Sequence, residues 1–362
     1  MPFFPTRYNF ALRALLLILA ISLGAVPAGS AERPGIGVPQ PLQFMPNGQV
    51  LAMVEYDGML VVAGHFRALI GDGVAENIAA WDGEGWYALG PGLNGPVYAL
   101  AVFQGDLIAG GGVIASGSVE ISNIARWDGR FWRSLGRGTN ESVRALTVHD
   151  SVLVAGGYFQ KPARHVAAWD GDRWGPLGVG VNGTLRALAS WGETIAAGGE
   201  LTASGDVSTR NFGLFTGDAW RGADWGLNSA IFALLPEDDR LVVGGMFTQA
   251  GAAPALRIAA WDGESWSTFG EGLDAPVRAL AHFRGDLVAG GVFTRGGRND
   301  RGHIARWDGT DWHALGTGLN DRVRALIVFQ DRLIAGGRFT WAGDNQATYL
   351  AAWDGEGWSN PF

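Results

Sequence analysis

Short runs of alternating hydrophobic and polar residues recur along the chain from residue 47 onward. Residues 323 to 358 read VRALIVFQDRLIAGGRFTWAGDNQATYLAAWDGEGW, and most of the preceding chain repeats this phrase. Each copy has four segments: an alternating V-x-A-L run, a run ending in paired glycines, a run ending in WDG, and a segment that opens on Trp. Alternating runs separated by turn residues predict short β-strands.

Two markers fix the period of the repeat. The Trp of the WDG triplet, with Phe in one copy, stands at Trp81, Trp127, Trp169, Phe215, Trp261, Trp307 and Trp353. The Ala of the V-x-A-L run stands at Ala52, Ala99, Ala145, Ala187, Ala233, Ala279 and Ala325. Four strands in about 45 residues is the period of a propeller blade. The sequence therefore predicts an all-β fold, a seven-bladed β-propeller of four-stranded antiparallel blades over residues 47–362.

The phase of the repeat leads to an expectation about ring closure. The repeats open on a V-x-A strand at residues 50–56 and end on a Trp strand at residues 358–362. We expect the N-terminal strand to complete the last blade and so close the ring. Closure of this kind leaves no unpaired sheet edge.

The repeat resembles the kelch repeats of galactose-oxidase-like propellers. The likeness is carried by paired glycines ending one strand, an aromatic residue near the end of the next, and a Trp opening the following one. The IARWDG…W…LG phrase is also similar to the propeller ectodomain of the fungal cortical cell-polarity marker. This resemblance implies the fold over about 310 residues but no particular activity.

The N-terminus predicts an exported protein. Arg7 and Arg13 precede an apolar run, residues 14–26, that is short for a membrane span and typical of a signal peptide. Residues 1–31 are therefore predicted to be a signal peptide, cleaved after Ala28 or Ala31, and residues 32–46 a linker. A membrane anchor is the alternative interpretation. We expect a periplasmic, secreted or cell-surface location and no membrane span in the mature chain.

Composition argues against several classes of ligand. The net charge of −8 argues against a nucleic-acid partner. Residues 90–95 and 178–183 match GxGxxG, but each leads into a strand and not into a helix N-terminus, so we expect no nucleotide. The chain has no Cys and therefore lacks the Cys–Tyr cross-link of a galactose-oxidase copper site. The six His residues show no metal-ligand spacing. No cofactor, metal or catalytic residue is predicted.

Most of the 16 Trp residues occupy two repeat positions, where we expect them to pack between blades. Trp225 and Trp341 fall outside the pattern, in variable loops at one end of the predicted ring. The arginine-rich loop after residue 293 lies at the same end. Loops on a rigid scaffold are common recognition sites. The candidate ligand-binding residues are Trp341, Trp225, Arg295, Arg298 and Arg301.

These residues lead to a function hypothesis with two alternatives. The main hypothesis is an exported, non-catalytic propeller that binds a glycan or an envelope or secreted protein through its variable loops. One alternative is a polysaccharide hydrolase or lyase, which would need two carboxylates about 5–10 Å apart, drawn from several blades. The other is a purely structural surface module. We consider an enzyme the less favoured interpretation, because no pair of acids specific to one blade stands out.

Overall fold

The structure, a computed structural model, describes residues 46–70, 73–223, 226–296, 299–300, 302–360 and 362, and of 299 and 300 only the backbone. The predicted signal peptide and nearly all of the predicted linker lie outside these residues. Trp225, Arg298 and Arg301 also lie outside them. Across the described ranges, no helix is present that is long and apolar enough to cross a membrane.

The described residues form seven four-stranded antiparallel sheets, numbered here as blades 1 to 7 in chain order. The first strands of the blades are Gln49–Tyr56, Val97–Phe103, Val143–His149, Leu185–Trp191, Ile231–Pro236, Val277–Phe283 and Val323–Phe329. The second strands are Met59–Ile70, Asp106–Gly111, Val152–Gly157, Thr194–Gly199, Leu241–Gly245, Asp286–Gly291 and Arg332–Gly337. The third strands are Gly73–Trp81, Ile124–Trp127, Val166–Trp169, Phe212–Phe215, Ile258–Trp261, Ile304–Trp307 and Leu350–Trp353. The fourth strands are Trp86–Ala88, Trp132–Ser134, Trp174–Pro176, Trp220–Gly222, Trp266–Thr268, Trp312–Ala314 and Trp358–Ser359.

The seven sheets are arranged in a ring, which confirms the predicted seven-bladed β-propeller. Each first strand contacts the first strands of both neighbouring blades, so the V-x-A-L strands are innermost and surround the axis. Because consecutive strands are antiparallel, their connections alternate between two ends of the ring. We call the end with the second-to-third connections and the links between blades the loop face, and the opposite end the turn face.

Neighbouring blades are held together by packing that repeats around the ring. Seven buried hydrophobic clusters each combine residues of two adjacent blades. Between blades 2 and 3, the first glycine of the pair, Gly110, leaves room for Val143; a Cβ atom there would lie 2.6 Å from Val143 Cγ1. In addition, Trp132 Nε1 donates a hydrogen bond of 2.9 Å to the Leu89 carbonyl of the preceding blade. The expected packing of repeat Trp residues between blades is confirmed.

The predicted closure of the ring is wrong in its strand pairing. Residues 49–56 pair with residues 59–70 in blade 1, and blade 7 is complete without them. The sequence contains seven copies of each of the four strand types, so no blade lacks a strand. The N-terminal strand instead packs its side chains against blade 7, with Val50 beside Gly336. Phe362 then packs on Trp81, with ring centroids 4.8 Å apart.

Four-residue turns connect the third and fourth strands. In blade 6, Trp307 and Trp312 are cross-strand partners, and residues 308–311 form the turn between them. The Asp308 carboxylate accepts hydrogen bonds from the backbone amides of Thr310 and Asp311, each 2.9 Å long. The other five WDG aspartates accept the same pair of bonds. These aspartates therefore shape turns.

Candidate functional site

Small β-hairpins stand on the loop face of five blades. Their strands are Ala115–Ser116 with Val119–Glu120, Ala203–Ser204 with Val207–Ser208, Gln249–Ala250 with Ala253–Pro254, Arg295–Gly296 with Asn299–Asp300, and Trp341–Ala342 with Asn345–Gln346. In blades 2 and 4 the hairpin lies against the fourth strand of the same blade, at the outside of the ring. The variable loops predicted from the sequence are thus mostly ordered hairpins.

Trp341 and Arg295 occupy the same position in the hairpins of blades 7 and 6. Asn320 Oδ1 accepts hydrogen bonds from the backbone amides of Thr340 and Trp341, at 2.9 and 3.0 Å. Asp274 holds the amides of Thr294 and Arg295 in the same way. Both side chains are exposed, and 49% of the Trp341 surface is accessible. The structure therefore places these two candidates on one face but in separate hairpins.

A cleft of about 500 Å³ opens on the loop face at the seam between blades 1 and 7. Arg338 and Tyr349, at the two ends of the segment that carries Trp341, contribute one wall, and Arg67 and Glu76 of blade 1 contribute the other. Arg67 Nε lies 3.8 Å from Glu76 Oε1, so the cleft contains charged groups of both signs. Its volume falls in the range of typical ligand pockets, about 300–1,000 Å³.

The axis of the ring is lined by the middle residue of each V-x-A triplet. The first strand of every blade contains a bulge here, as between Val143 and Ala145, where the strand register shifts. Val143 and Ala145 are buried in the blade, and Arg144 lines the axial cavity. The same position supplies all seven residues of this cavity of about 120 Å³: Leu51, Tyr98, Arg144, Arg186, Phe232, Arg278 and Arg324. Since first strands run from the loop face to the turn face, this ring of residues lies near the loop face.

Two of the axial arginines stack on aromatic rings of the preceding blade. The Arg144 Cζ atom lies 3.7 Å from the centre of the Tyr98 ring. The Arg278 Cζ atom lies 3.9 Å from the centre of the Phe232 ring. Guanidinium groups stack favourably on aromatic faces and keep their in-plane N–H donors free for other partners. The aromatic residues at this position therefore orient the arginines beside them.

The axial arginines lower each other's pKa. Burial, together with the charges of Arg324, Arg186 and Arg322, lowers the pKa of Arg278 to about 10. Burial and the charge of Arg322 also lower the pKa of Arg324. With a pKa of about 10, the Arg278 guanidinium stays protonated at neutral pH. The cavity is consequently a concentration of positive charge in a chain whose net charge is −8.

The axial ring was not among the residues selected from the sequence. The relevant signal was present, since four of the seven V-x-A triplets carry Arg at the variable position. These arginines line the axis only if the V-x-A strand is the innermost strand of the blade. The order of strands along the chain does not determine which strand is innermost. The candidates Trp225, Arg298 and Arg301 lie outside the described residues, so their positions relative to this ring are not described.

One Ser–His contact lies on the turn face. Ser190 Oγ is 2.9 Å from His149 Nδ1, and His149 Nε2 is 3.7 Å from Asp150 Oδ2. In a hydrolytic triad the acid is buried and hydrogen-bonded to the imidazole, which fixes its tautomer. The Asp150 side chain is 82% exposed and beyond hydrogen-bond distance. The contact links blades 3 and 4, and we assign it no catalytic role.

Comparison with solved structures finds a WD40 β-propeller and a computationally designed protein. The WD40 β-propeller domain of Doa1 is similar with a TM-score of 0.54 and 13% sequence identity, covering 88% of this chain and 96% of that chain. The computationally designed Ika8 protein is similar with a TM-score of 0.50 and 16% identity, covering 85% of this chain and 97% of that one. The likeness shows the fold alone. No known family model and no curated protein matches the chain.

Proposed function

We propose that this chain is an exported, non-catalytic propeller that binds a glycan or an envelope or secreted protein through its loop face. The supporting observation is the seam cleft, flanked by the segment that carries the exposed Trp341. Clefts that combine rigid backbone with a few polar groups are common ligand sites. We also propose that the repeats are kelch-type, and that residues 1–31 direct export and are then removed.

The position of Trp341 supports recognition by this face. Trp stacks on sugar rings and anchors protein partners, and it is enriched among residues that dominate binding energy. The side-chain amide of Asn320 holds the Trp341 backbone, so little conformational freedom is left to lose on binding. The corresponding hairpin position in the other blades is Ala115, Ala203, Gln249 or Arg295, which shows that the fold itself does not require an aromatic residue there.

The state of the carboxyl groups favours binding over polysaccharide hydrolysis. A glycosidase needs a general acid whose pKa is raised toward neutrality. Every described carboxyl group with a shifted pKa is shifted downward. Asp321 lies 3.6 Å from Arg338, a residue of the seam cleft. Desolvation raises the pKa of Asp321, but hydrogen bonds from Arg322 outweigh the effect of desolvation, and the pKa is lowered. Such a group acts as a charge partner and is poorly suited to donate a proton.

A glycan array probed with the exported chain, together with affinity capture from envelope extracts, tests this proposal. The decisive comparison is between wild type and Trp341→Ala, with Gln249→Ala as the matched substitution in blade 5. Trp341→Ala is expected to weaken binding of the identified ligand about tenfold or more, and Gln249→Ala to leave it unchanged. Equal binding by all three proteins would contradict the assignment of the seam and the Trp341 hairpin as the site.

A further inference from the structure

The axial arginines carry more positive charge than the surrounding acids neutralise. Among the four, Arg186 has a carboxylate beside it: its Nη2 lies 3.0 Å from Glu200 Oε1 and donates a bond of 2.9 Å to the Tyr158 hydroxyl. Asp321, three residues before Arg324, lies 3.3 Å from Arg322 and 3.6 Å from Arg338. Its charge is therefore shared by two cations outside the ring.

The other three axial arginines have unpaired donors. The Nε atoms of Arg144, Arg278 and Arg324 are buried and find no hydrogen-bond acceptor within the described part of the chain. Buried polar groups in proteins are nearly always hydrogen-bonded, and leaving a charged donor unpaired is costly. All three arginines line one cavity, and among the described residues no carboxylate lies within ion-pair distance of them. Their positive charge is therefore left without a counter-ion around that cavity.

Two of the three arginines are also oriented before any partner arrives. Each arginine extends from a bulge in the innermost strand, and Arg144 and Arg278 are stacked on Tyr98 and Phe232. Their remaining freedom is small, so little order has to be created on binding. The cavity of about 120 Å³ is several times the roughly 30 Å³ occupied by a water molecule in the liquid. It has room for one compact group.

We propose that the axial cavity is an oxyanion-binding site, which takes one phosphate, sulfate or carboxylate group between Arg144, Arg278 and Arg324. Guanidinium groups match the geometry of such oxygens and form charge-assisted hydrogen bonds with them. This site is separate from the seam cleft and the Trp341 hairpin. Its existence does not depend on the function proposed for the loop face.

Isothermal titration of the full exported chain with phosphate and sulfate, against chloride at equal ionic strength and neutral pH, tests the site. One anion is expected to bind per chain. The double variant Arg278→Gln/Arg324→Gln should bind about tenfold more weakly or not at all. Arg173→Gln removes an exposed arginine from a turn in blade 3 and should bind as wild type does. No binding at millimolar concentrations, or equal binding by the double variant, would overturn the proposal.

Thermal unfolding provides a second measurement. In chloride the double variant is expected to melt no lower than wild type, because two mutually repelling cations have been removed. Phosphate should raise the melting temperature of wild type and of Arg173→Gln, but much less that of the double variant. If the double variant does not fold, Arg324→Lys serves instead, since it keeps the charge and loses the planar fork. A phosphate effect of the same size in every variant would reflect general ion exclusion and would overturn the proposal.

The source of the oxyanion is distinguished by comparing sugars with free anions. If the site receives an acidic substituent of a glycan, galacturonate should bind more tightly than acetate, and both should lose affinity in the double variant. If it holds a free inorganic anion, phosphate or sulfate should bind more tightly than either carboxylate. Both results support an oxyanion site. Normal anion binding in Trp341→Ala would show that this site functions even if the proposed loop-face recognition fails.

Discussion

Gly336 of blade 7 packs directly against Val50 of blade 1, so that a Cβ atom on residue 336 would lie 2.6 Å from Val50 Cγ1. The same relationship joins Gly290 to Val323 at the seam between blades 6 and 7, also at 2.6 Å. The closing seam is therefore packed like an internal one, although no peptide connection from blade 7 to blade 1 holds it together.

Gly336→Ala should accordingly destabilise the protein as much as Gly290→Ala does. The added methyl group overpacks a filled seam, which typically costs about 1–3 kcal/mol of unfolding free energy. Chemical denaturation of both variants measures the effect. A silent Gly336→Ala beside a destabilising Gly290→Ala would mean that the first and seventh blades do not pack closely in solution.

Trp312 and Trp341 should respond very differently to truncation. Trp312 is buried, and its Nε1 donates a hydrogen bond to the Phe269 carbonyl of the preceding blade, so Trp312→Ala should cost about 3–5 kcal/mol of unfolding free energy. Trp341→Ala removes an exposed side chain and should change stability by about 0.5 kcal/mol at most. Equilibrium unfolding in urea measures both. A large loss for Trp341→Ala would assign that side chain to the packing of its hairpin.

The WDG turns predict loss of stability in acid. Backbone hydrogen bonds from Asp311 and Thr310 lower the pKa of Asp308, and bonds from Ser265 and Glu264 lower that of Asp262. Because the pKa of the carboxyl group is lower in the folded protein, the carboxylate stabilises the fold fully at any pH above its pKa in the unfolded chain, 3.8. This stabilisation is lost as the pH falls toward and through the pKa of the folded protein.

The melting temperature should therefore be constant near neutrality and decline below about pH 4. Asp262→Asn keeps the side-chain oxygen that accepts the two amide bonds, so it should stay folded at neutral pH and lose part of the acid dependence. A melting temperature that is unchanged down to about pH 2 would contradict the role assigned to these carboxylates.

Export should produce a chain that begins at Gly29 or Glu32. The expectation rests on the basic and apolar pattern of residues 1–31 and on the small residues that precede these positions. Intact-mass measurement of protein recovered from the periplasm or the medium checks it. A mass that retains residues 1–31 would favour the membrane-anchor interpretation.

The repeat explains how much of this fold the sequence could predict. Seven copies of a four-strand pattern specify the strand number, the antiparallel order and the face on which the variable loops lie. The pattern also correctly placed the repeat Trp residues between blades, because a large apolar side chain that recurs in every blade fits a packing contact that recurs at every seam.

Ring closure and the axial cavity depend on information beyond the repeat. The closure prediction failed because the V-x-A strand could be either the first strand of its own blade or the last strand of the preceding blade. The sequence does not say which of these two edges of a blade faces the axis. For the same reason the Arg residues of the V-x-A triplets were not selected as candidates. Once the first strand is known to be innermost, Arg144 and Arg324 fall on the axis.

Asn320 should act as a positioning residue for Trp341. Its side-chain oxygen accepts the amide protons of Thr340 and Trp341, and its Nδ2 donates a 3.0 Å bond to Thr340 Oγ1. Asn320→Ala removes all three bonds. The hairpin should then sample other conformations, and ligand binding at the loop face should weaken nearly as much as in Trp341→Ala.

Two further variants separate positioning from general destabilisation. Asn320→Asp keeps the acceptor oxygen, as Asp274 does naturally in blade 6, and should retain most of the binding. Asn182→Ala removes the same clamp from blade 4, where Asn182 accepts the amides of Thr202 and Ala203. It should lower the melting temperature about as much as Asn320→Ala while leaving binding intact. If Asn182→Ala and Asn320→Ala weaken binding equally, the effect comes from loss of stability, and Asn320 has no specific role in presenting Trp341.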